Sequence, residues 1–380
     1  MLSVPDEHVQ LSASQLLKFR IMSKGVRIDE KVRAVIGRKI KDTVNMRSGL
    51  SSGLDMILPD NIWVNAPVNE WFVNQSELEL RQNRDRFVLR ENGQLITEVK
   101  LLPRPAYYDR YTSDCVLMRT IGSTRGDRLS ISLTNSCVFW KDIRQRCKFC
   151  AIGRKDRGEV KTKKVNHILE TIDAALHDPI LPVRHVYLNS GCMPGPDRGA
   201  KLFSQIIGEI KSNFRVHTHL NPCPPDNEKY IDALYQSGLD EISFNVELTD
   251  KHKASHIMPG KSSSIGLDNY YRMLNYTAQV FGDRKVSSCL IVGLEDASGT
   301  LEGVERLSRL GVIPKLSCFR PVRGSLLYQS QPPSVDLIGS VYLQAREIAK
   351  TYGLALGPLC IPCQLHSLVL PDVGSGHYFS

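Results

Sequence analysis

The sequence has no apolar run near the roughly 20 residues that cross a bilayer, so we expect no membrane span. Its first residues, MLSVPDEHVQLSASQ, lack a basic segment followed by an apolar stretch, which argues against a secretory signal. It also lacks an RNA-recognition signature and any basic stretch interleaved with aromatic residues. We therefore expect a cytoplasmic globular protein for which neither a membrane nor nucleic acid is the favoured partner.

The composition is that of a folded globular protein, with 42% hydrophobic and 23% charged residues. At 380 residues, the chain exceeds the roughly 250 to 300 residues that a single core supports. One main domain with appendages is therefore expected. Ten cysteines without a secretory signal indicate a reducing compartment. We therefore expect the cysteines to bind metal or to take part in redox chemistry rather than to form disulfides.

The formal charge of +9 is concentrated in two segments. Residues 18–42 hold nine Lys or Arg against three acidic residues, and residues 144–164 hold nine against two. The second segment surrounds a group of cysteines, where cationic side chains would offset thiolate charge and attract an anionic substrate. A solvated basic face is the alternative explanation.

That cysteine group is the most informative feature of the chain. Cys137, Cys147 and Cys150 lie in the run NSCVFWKDIRQRCKFC, directly after an apolar strand. Electron-carrier clusters take four cysteines, so three thiolates could hold a 4Fe-4S cluster and leave one iron free for another ligand. S-adenosylmethionine (SAM) is the strongest candidate for that ligand. Half of a zinc site or a plain thiol pair stays open for the last two cysteines, as does simple burial for Cys137.

From residue 127 onward, strand-like runs alternate with helical periodicity, which is typical of repeated βα units around a parallel sheet. The predicted strands are Leu129–Leu133, His185–Asn189, Val216–Leu220, Glu241–Val246, Val286–Val292 and Lys315–Phe319. Helices are predicted at about 165–177, 199–212, 227–237, 267–281 and 299–310. Six units predict an α/β fold with a partial, open (β/α)6 TIM-like barrel, whose reactive residues lie at the C-terminal ends of the strands.

The barrel is predicted to span residues 127–330, between an N-terminal α+β extension and a short C-terminal extension at 331–380 that contains a helix. Within the first region, 1–126, we expect a helix at 12–24, short strands between Met56 and Val73, and a hairpin from Arg86 to Val99 that turns at Asn92-Gly93. This region could cap the barrel, shape the substrate pocket, or give structural support alone.

Several motifs together resemble the radical SAM superfamily. Phe149 is the aromatic residue that often precedes the last cysteine, and turns with Gly or Glu follow three of the strands. Four segments resemble a little-characterised radical SAM subfamily encoded in bacterial nitrilase gene clusters, which shares the long C-x9-C-x2-C spacing: 146–153 (RCKFCAIG), 196–200 (PDRGA), 257–261 (IMPGK) and 360–363 (CIPC).

This resemblance implies a 4Fe-4S cluster on Cys137, Cys147 and Cys150, with SAM on the free iron. It implies that SAM is cleaved reductively to methionine and a 5'-deoxyadenosyl radical, which abstracts hydrogen from substrate. An electron donor such as flavodoxin or ferredoxin is implied as a partner. The implied SAM contacts are Ser190 and Gly191 at the methionine end, Asn245 and Glu247 near the ribose or amino group, and Gly293 and Glu295 beside the adenine. No residue is assigned to catalysis itself.

Other polar residues are candidates for substrate binding. Lys261, Arg320 and Arg323 follow strands and would suit a carboxylate or phosphate, although they could equally hold loops in place. His217 and His219 alternate along one strand, so they share a face that could point into the barrel. A metal pair or a hydrogen-bonded core are the other interpretations of these histidines.

The pair Cys360 and Cys363 leaves several interpretations open. The two thiols could half-ligate a second cluster, bind zinc with His366 and one further group, act as a redox pair, or simply pack. No further C-x2-C pair is present to complete four cysteine ligands.

Three classes of function follow from these patterns. The favoured one is a radical SAM enzyme that acts on a small molecule, and an anionic molecule is among the candidate substrates. The others are a radical SAM enzyme that modifies RNA or a peptide, and a zinc or iron–sulfur protein without SAM chemistry.

Overall fold

The computed structural model describes residues 11–34, 53–134, 136–153 and 163–371. Its strands are β1 (Arg27–Ile28), β2 (Leu54–Leu58), β3 (Ile62–Ala66), β4 (Leu78–Asn83), β5 (Arg86–Glu91), β6 (Gln94–Leu101), β7 (Gly122–Arg125), β8 (Arg128–Thr134), β9 (His185–Ser190), β10 (His217–Asn221), β11 (Glu241–Ser243), β12 (Val286–Val292) and β13 (Ile313–Cys318). Its α-helices are α1 (Ala13–Lys24), α2 (Val165–Leu176), α3 (Ala200–Asn213), α4 (Lys229–Gln236), α5 (Lys251–Ile257), α6 (Pro259–Ser264), α7 (Leu267–Phe281), α8 (Ala297–Arg309) and α9 (Val335–Thr351). Parts of both basic segments, at 35–42 and 154–162, lie outside the described residues. Among the described helices, none is long and apolar enough to cross a bilayer.

The main sheet has the strand order β13-β12-β11-β10-β9-β8-β7. Strands β8 to β13 are parallel, and helices connect them. The predicted α/β class with a partial (β/α)6 TIM-like barrel is therefore confirmed. The sheet also contains β7, which runs antiparallel to β8 and lies before residue 127, where the barrel was expected to begin. Its sequence, GSTR, has no apolar residue, so hydrophobic periodicity could not reveal it.

The parallel strands present one apolar and one polar face. On β9, Val186 and Leu188 are fully buried in the apolar core, whereas His185 and Tyr187 line a cavity inside the barrel. The helices cover the apolar face by burying one side each, as α3 does with Phe203 and other apolar residues spaced three or four apart. The helices therefore form the outer layer of the barrel, and the polar side chains of the strands face its interior.

The N-terminal region forms a second sheet, with the order β1-β4-β5-β6-β2-β3. Helix α1 and the hairpin of β5 and β6 occur where they were predicted. The region contacts the rest of the chain through the rings of Phe19 and Tyr342, whose centroids lie 5.4 Å apart, and through Arg320, which bonds Asn65. Among the described residues, none before 127 lines the barrel cavity, so this region supports the barrel from outside.

Candidate active site

The three predicted ligand cysteines share one loop after the carboxyl end of β8. Cys137 directly precedes a short turn at Val138–Trp140, and Cys147 and Cys150 follow in the same loop. The loop is joined to two neighbouring loops by backbone hydrogen bonds: the Val138 amide donates to Cys192 at 2.9 Å, and the Lys148 amide donates to Ile257 at 2.8 Å. The cysteines therefore lie at the end of the barrel where reactive groups of such folds are found.

Gly191, at the end of β9, touches the cysteine loop with its backbone. A Cβ atom at this position would lie 2.2 Å from the Ser136 carbonyl oxygen and 2.9 Å from the Cys137 Cβ. Only glycine allows this approach without displacing the loop. The neighbouring Ser190 hydroxyl donates to the Gly191 carbonyl at 2.6 Å. Of the two residues predicted at the methionine end, Gly191 thus lies beside Cys137, the first of the predicted ligand cysteines.

The three thiols are half-buried and form no disulfide. Burial is the main reason why the pKa of each is raised, to about 11 for Cys150. The charges of neighbouring thiols of the triad raise the pKa of Cys147 and of Cys150 further. Their sulfurs do not form a single-ion site, because the one group of ligand atoms within 4.8 Å of one another in the described residues lies elsewhere. In a cluster each thiolate bonds a different iron, so three convergent but separated sulfurs fit a 4Fe-4S cluster.

A buried carboxylate lies beside this triad. Glu247 follows β11 with a positive φ of 68°, a strained value for a residue other than glycine. Its Oε1 atom lies 3.1 Å from the Lys261 Nζ, whereas its buried Oε2 atom has no hydrogen-bond partner among the described residues. A buried carboxylate oxygen without a partner is costly unless a ligand supplies a donor. The amino group of SAM is such a donor, so this position fits the predicted cofactor.

Lys261 forms an ion pair with Glu247 and also interacts electrostatically with nearby thiols. Burial alone would lower its pKa, but Glu247, the Tyr270 ring and the thiols of Cys147 and Cys223 together hold that pKa well above its ordinary value. The ammonium therefore stays charged, and it lies 5.8 Å from the centre of the Tyr270 ring. A fixed cation at this place would offset the negative charge of coordinated thiolates.

The other predicted SAM residues have different surroundings. Asn245 lines the barrel cavity, and its Oδ1 atom accepts a bond from the Cys289 amide at 3.2 Å. Gly293 has a φ of 98° and packs against Pro333. The Glu295 carboxylate accepts bonds from the backbone amides of residues 249 and 250, near the start of α5. The assignment of Gly293 and Glu295 to the adenine side stays a prediction.

A cavity of about 410 Å³ occupies the interior of the barrel. It is lined on alternate positions of β9 to β13, so polar side chains project into it from each strand. Its charged lining consists of four cationic side chains and two carboxylates: Arg128, Arg284, Lys285, Lys315, Glu241 and Asp283. The excess of positive charge suits an anionic small molecule.

Both predicted histidines line this cavity and share one carboxylate. His217 Nε2 lies 3.1 Å from one oxygen of Glu241, and His219 Nδ1 lies 3.2 Å from the other. Burial opposes ionisation of Glu241, but the two imidazoles outweigh it and hold the carboxyl pKa well below its usual range. Burial lowers the pKa of His219 to about 4, so its ring is neutral at physiological pH. Both ring nitrogens of His219 have partners, Nδ1 at Glu241 and Nε2 at the Ser243 hydroxyl, so the structure favours the interpretation of a hydrogen-bonded core for this histidine.

Sequence reasoning missed Arg128, Glu241 and Lys315 as cavity residues. Lys315 donates to the Ser243 hydroxyl at 2.8 Å, and burial lowers its pKa to about 8. The signal was present, because polar residues alternate with apolar ones along much of β9 (HVYLNS) and β13 (IPKLSC). In a buried parallel strand, both faces are normally apolar. Alternation therefore indicates a hydrophilic lumen.

Neither of the two arginines predicted to bind substrate lines the cavity. Arg320 is buried, and its guanidinium donates to the side chain and backbone oxygens of Asn65, both at 2.7 Å. Arg323 is exposed in the loop after β13 and does not line the cavity. Arg320 therefore joins the N-terminal region to the barrel through its bonds to Asn65.

Cys360 and Cys363 lie at the other end of the barrel, beside the first residue of β9. His366, the sequence-based partner for a zinc site, lines the cavity but is not in the compact ligand group around these cysteines. The interpretation of a zinc site completed by His366 is therefore not the one that the structure favours, because the ligand atoms within 4.8 Å of one another belong to other residues. The residues that do join the pair are His185 and Asp127.

The chain is similar in sequence to one curated protein in particular. It is 31% identical over 138 residues to the bacteriochlorophyllide c C-7(1)-hydroxylase of Chlorobaculum limnaeum, a match that covers 36% of this chain and 34% of the hydroxylase. The match thus spans about a third of that relative's length. No family model matches the chain.

Solved structures resemble it at low sequence identity. The FeFe-hydrogenase maturase HydG from Carboxydothermus hydrogenoformans is 14% identical, with a TM-score of 0.48 over 63% of this chain and 56% of HydG. A radical SAM methyltransferase from Sphaerobacter thermophilus is 13% identical, with a TM-score of 0.46 over 74% of this chain and 76% of the methyltransferase.

Proposed function

We propose that this protein is a radical SAM enzyme that abstracts a hydrogen atom from an anionic small molecule held inside the barrel. The observation that carries the proposal is the grouping of three thiols with Lys261 and a carboxylate that has one buried, unpartnered oxygen, in a barrel whose interior contains a cavity with charged lining. A zinc protein would need neither the unpaired Glu247 oxygen nor a cavity of this size.

The residues have separate tasks in this proposal. Cys137, Cys147 and Cys150 would hold the cluster, and Glu247 Oε2 would accept a hydrogen bond from the SAM amino group. Lys261 would keep the Glu247 carboxylate in place through its other oxygen. When bound, the cluster and SAM supply one-electron reductive cleavage and a radical able to abstract hydrogen.

The cavity would position the substrate and exclude water and stray hydrogen donors. Arg128 and Lys315 offer cationic contacts for a carboxylate or phosphate. Because Asn245 lines the cavity and Glu247 lies two residues further along the chain, the cavity reaches towards the proposed SAM site. A one-electron donor such as flavodoxin or ferredoxin would complete the system.

The test is anaerobic reconstitution with iron and sulfide, followed by dithionite and SAM, with 5'-deoxyadenosine measured by mass spectrometry. We expect its formation in the wild type and in Cys115→Ser, which changes an exposed cysteine far along the chain from the triad. Cys147→Ala should form none. Equal product from Cys147→Ala would refute the ligand assignment, and a wild type that stays colourless and takes up no iron on reconstitution would refute the enzyme class.

A further inference from the structure

A second group of ligand atoms lies at the N-terminal end of the barrel, where the proposed function needs none. Asp127, His185, Cys360 and Cys363 each offer one ligand atom, and these four atoms all lie within 4.8 Å of one another. His185 Nε2 is 3.1 Å from the Cys363 sulfur, and the Cys360 sulfur is 3.6 Å from an Asp127 oxygen. Among the described residues, no other group of this kind is as compact.

The fold brings these residues together from three distant segments. Asp127 directly precedes β8 and His185 begins β9, and the two strands pair with Arg128 opposite His185. The two cysteines belong to one turn, in which the Cys363 amide donates to the Cys360 carbonyl at 3.0 Å. That turn lies close against the barrel, because a Cβ at Gly126 would lie 2.8 Å from Pro362.

The spacing of the four atoms matches a single ion. Zinc bonds to Cys, His and carboxylate ligands measure about 2.0 to 2.3 Å, so two ligands of a tetrahedral ion are about 3.3 to 3.8 Å apart. The pairs His185–Cys363 at 3.1 Å, Cys360–Asp127 at 3.6 Å and His185–Asp127 at 3.7 Å are close to that spacing. The C-x2-C spacing with one His and one carboxylate is a chemically ordinary zinc set. The triad near Glu247 is not grouped in this way, so the two cysteine sites differ in the kind of metal centre that they fit.

Three of the four residues are buried, so their proximity is not a chance grouping of surface side chains. Cys360, Cys363 and His185 are respectively 9%, 6% and 4% exposed, and neither cysteine forms a disulfide. A redox pair would need only the two thiols. A partly buried carboxylate and a buried imidazole that both lie within 4.8 Å of the two sulfurs are explained when all four groups share a cation.

We propose that Asp127, His185, Cys360 and Cys363 bind one zinc ion. Four protein ligands leave no open position, which is typical of a structural site. The ion would fasten the C-terminal turn to the first strands of the barrel. Since His185, Cys360 and Cys363 also line the cavity, it would close that end of the proposed substrate pocket.

Metal analysis tests this proposal independently of SAM chemistry. Chains would be purified from medium supplied with zinc and iron, and both metals measured by plasma mass spectrometry. We expect about one zinc per chain in the wild type, in Cys115→Ser, and in a variant with all three triad cysteines replaced by alanine. The double variant Cys360→Ser/Cys363→Ser should lose the zinc but keep the triad's iron.

Two results would overturn the proposal: zinc retained by the double variant, or iron in place of zinc that disappears with Cys360 and Cys363. Should the double variant fail to fold, the wild type alone still decides. Its metal would be removed by a chelator under anaerobic conditions and replaced by cobalt(II). Thiolate-to-cobalt charge-transfer absorption that saturates near one equivalent supports the site, and its absence from folded protein refutes it.

Discussion

Lys18 provides a prediction about stability that follows from burial. Its side chain is 0% exposed, and its ammonium donates to the backbone carbonyls of Gln364 and Val369 at 3.0 and 2.5 Å. Burial lowers its pKa from 10.5 to about 7. Between those two pH values the folded chain has released this proton while the unfolded chain still binds it. Stability therefore rises with pH across this window.

The size of the effect follows from the pKa shift. Each pKa unit is worth about 1.36 kcal/mol, so a shift from 10.5 to about 7 amounts to about 5 kcal/mol between pH 7 and pH 10.5. Lys18→Met removes the titration and should therefore lose this part of the pH dependence. It also leaves two carbonyls without a donor, at a cost of about 1 kcal/mol each at every pH.

The measurement is anaerobic denaturant unfolding of the wild type and Lys18→Met at several pH values from 6 to 10. Lys24→Met is the matched control, because Lys24 lies on the same helix with its side chain 45% exposed. The difference in unfolding free energy between wild type and Lys18→Met should grow with pH, whereas that for Lys24→Met should stay constant. A pH-independent difference for Lys18→Met would refute the burial argument.

Further outcomes concern the proposed site. Cys147→Ala should abolish brown colour and SAM cleavage while circular dichroism of the barrel is unchanged; retained cleavage would contradict it. Gly191→Ala should lower cluster content, because its Cβ would meet the Ser136 carbonyl at 2.2 Å, and full iron loading would contradict this. Glu247→Gln should keep the cluster but weaken SAM binding about 10- to 100-fold, as expected for loss of a hydrogen bond to a charged group; unchanged affinity in calorimetry would exclude the contact. Lys315→Met should keep substrate-free SAM cleavage but lose its stimulation by small-molecule cell extract, and equal stimulation would remove Lys315 from the pocket.

The cysteine loop shows why part of the site could be found in the sequence. Its three cysteines lie within one short stretch after one strand, so a local pattern carries both their chemistry and their place in the fold. The same is true of His217 and His219, whose alternation determines that they share a face. The sequence also indicated that Gly191 belongs to the site. It did not show why glycine is needed there, which is that the Ser136 carbonyl oxygen lies against its backbone.

Other assignments depended on partners far away in the chain. Arg320 follows a strand as a substrate residue would, yet Asn65 of the N-terminal region accepts its hydrogen bonds. Glu295 ends a strand segment suited to adenine, yet backbone amides near α5 occupy its carboxylate. The sequence around a residue indicates its position on a strand or loop. The residues that surround its side chain in the fold determine what that side chain can bind.

The sequence by itself determined the βα alternation, the apolar face of each strand and the cysteine triad, because periodicity and spacing act between near neighbours along the chain. Only the tertiary structure decided that Asp127 and His185 meet Cys360 and Cys363, that polar strand faces enclose a cavity, and that Glu247 keeps one oxygen unpaired. These features arise where strand pairing and packing close distances between remote segments, and no local pattern records which segments those will be.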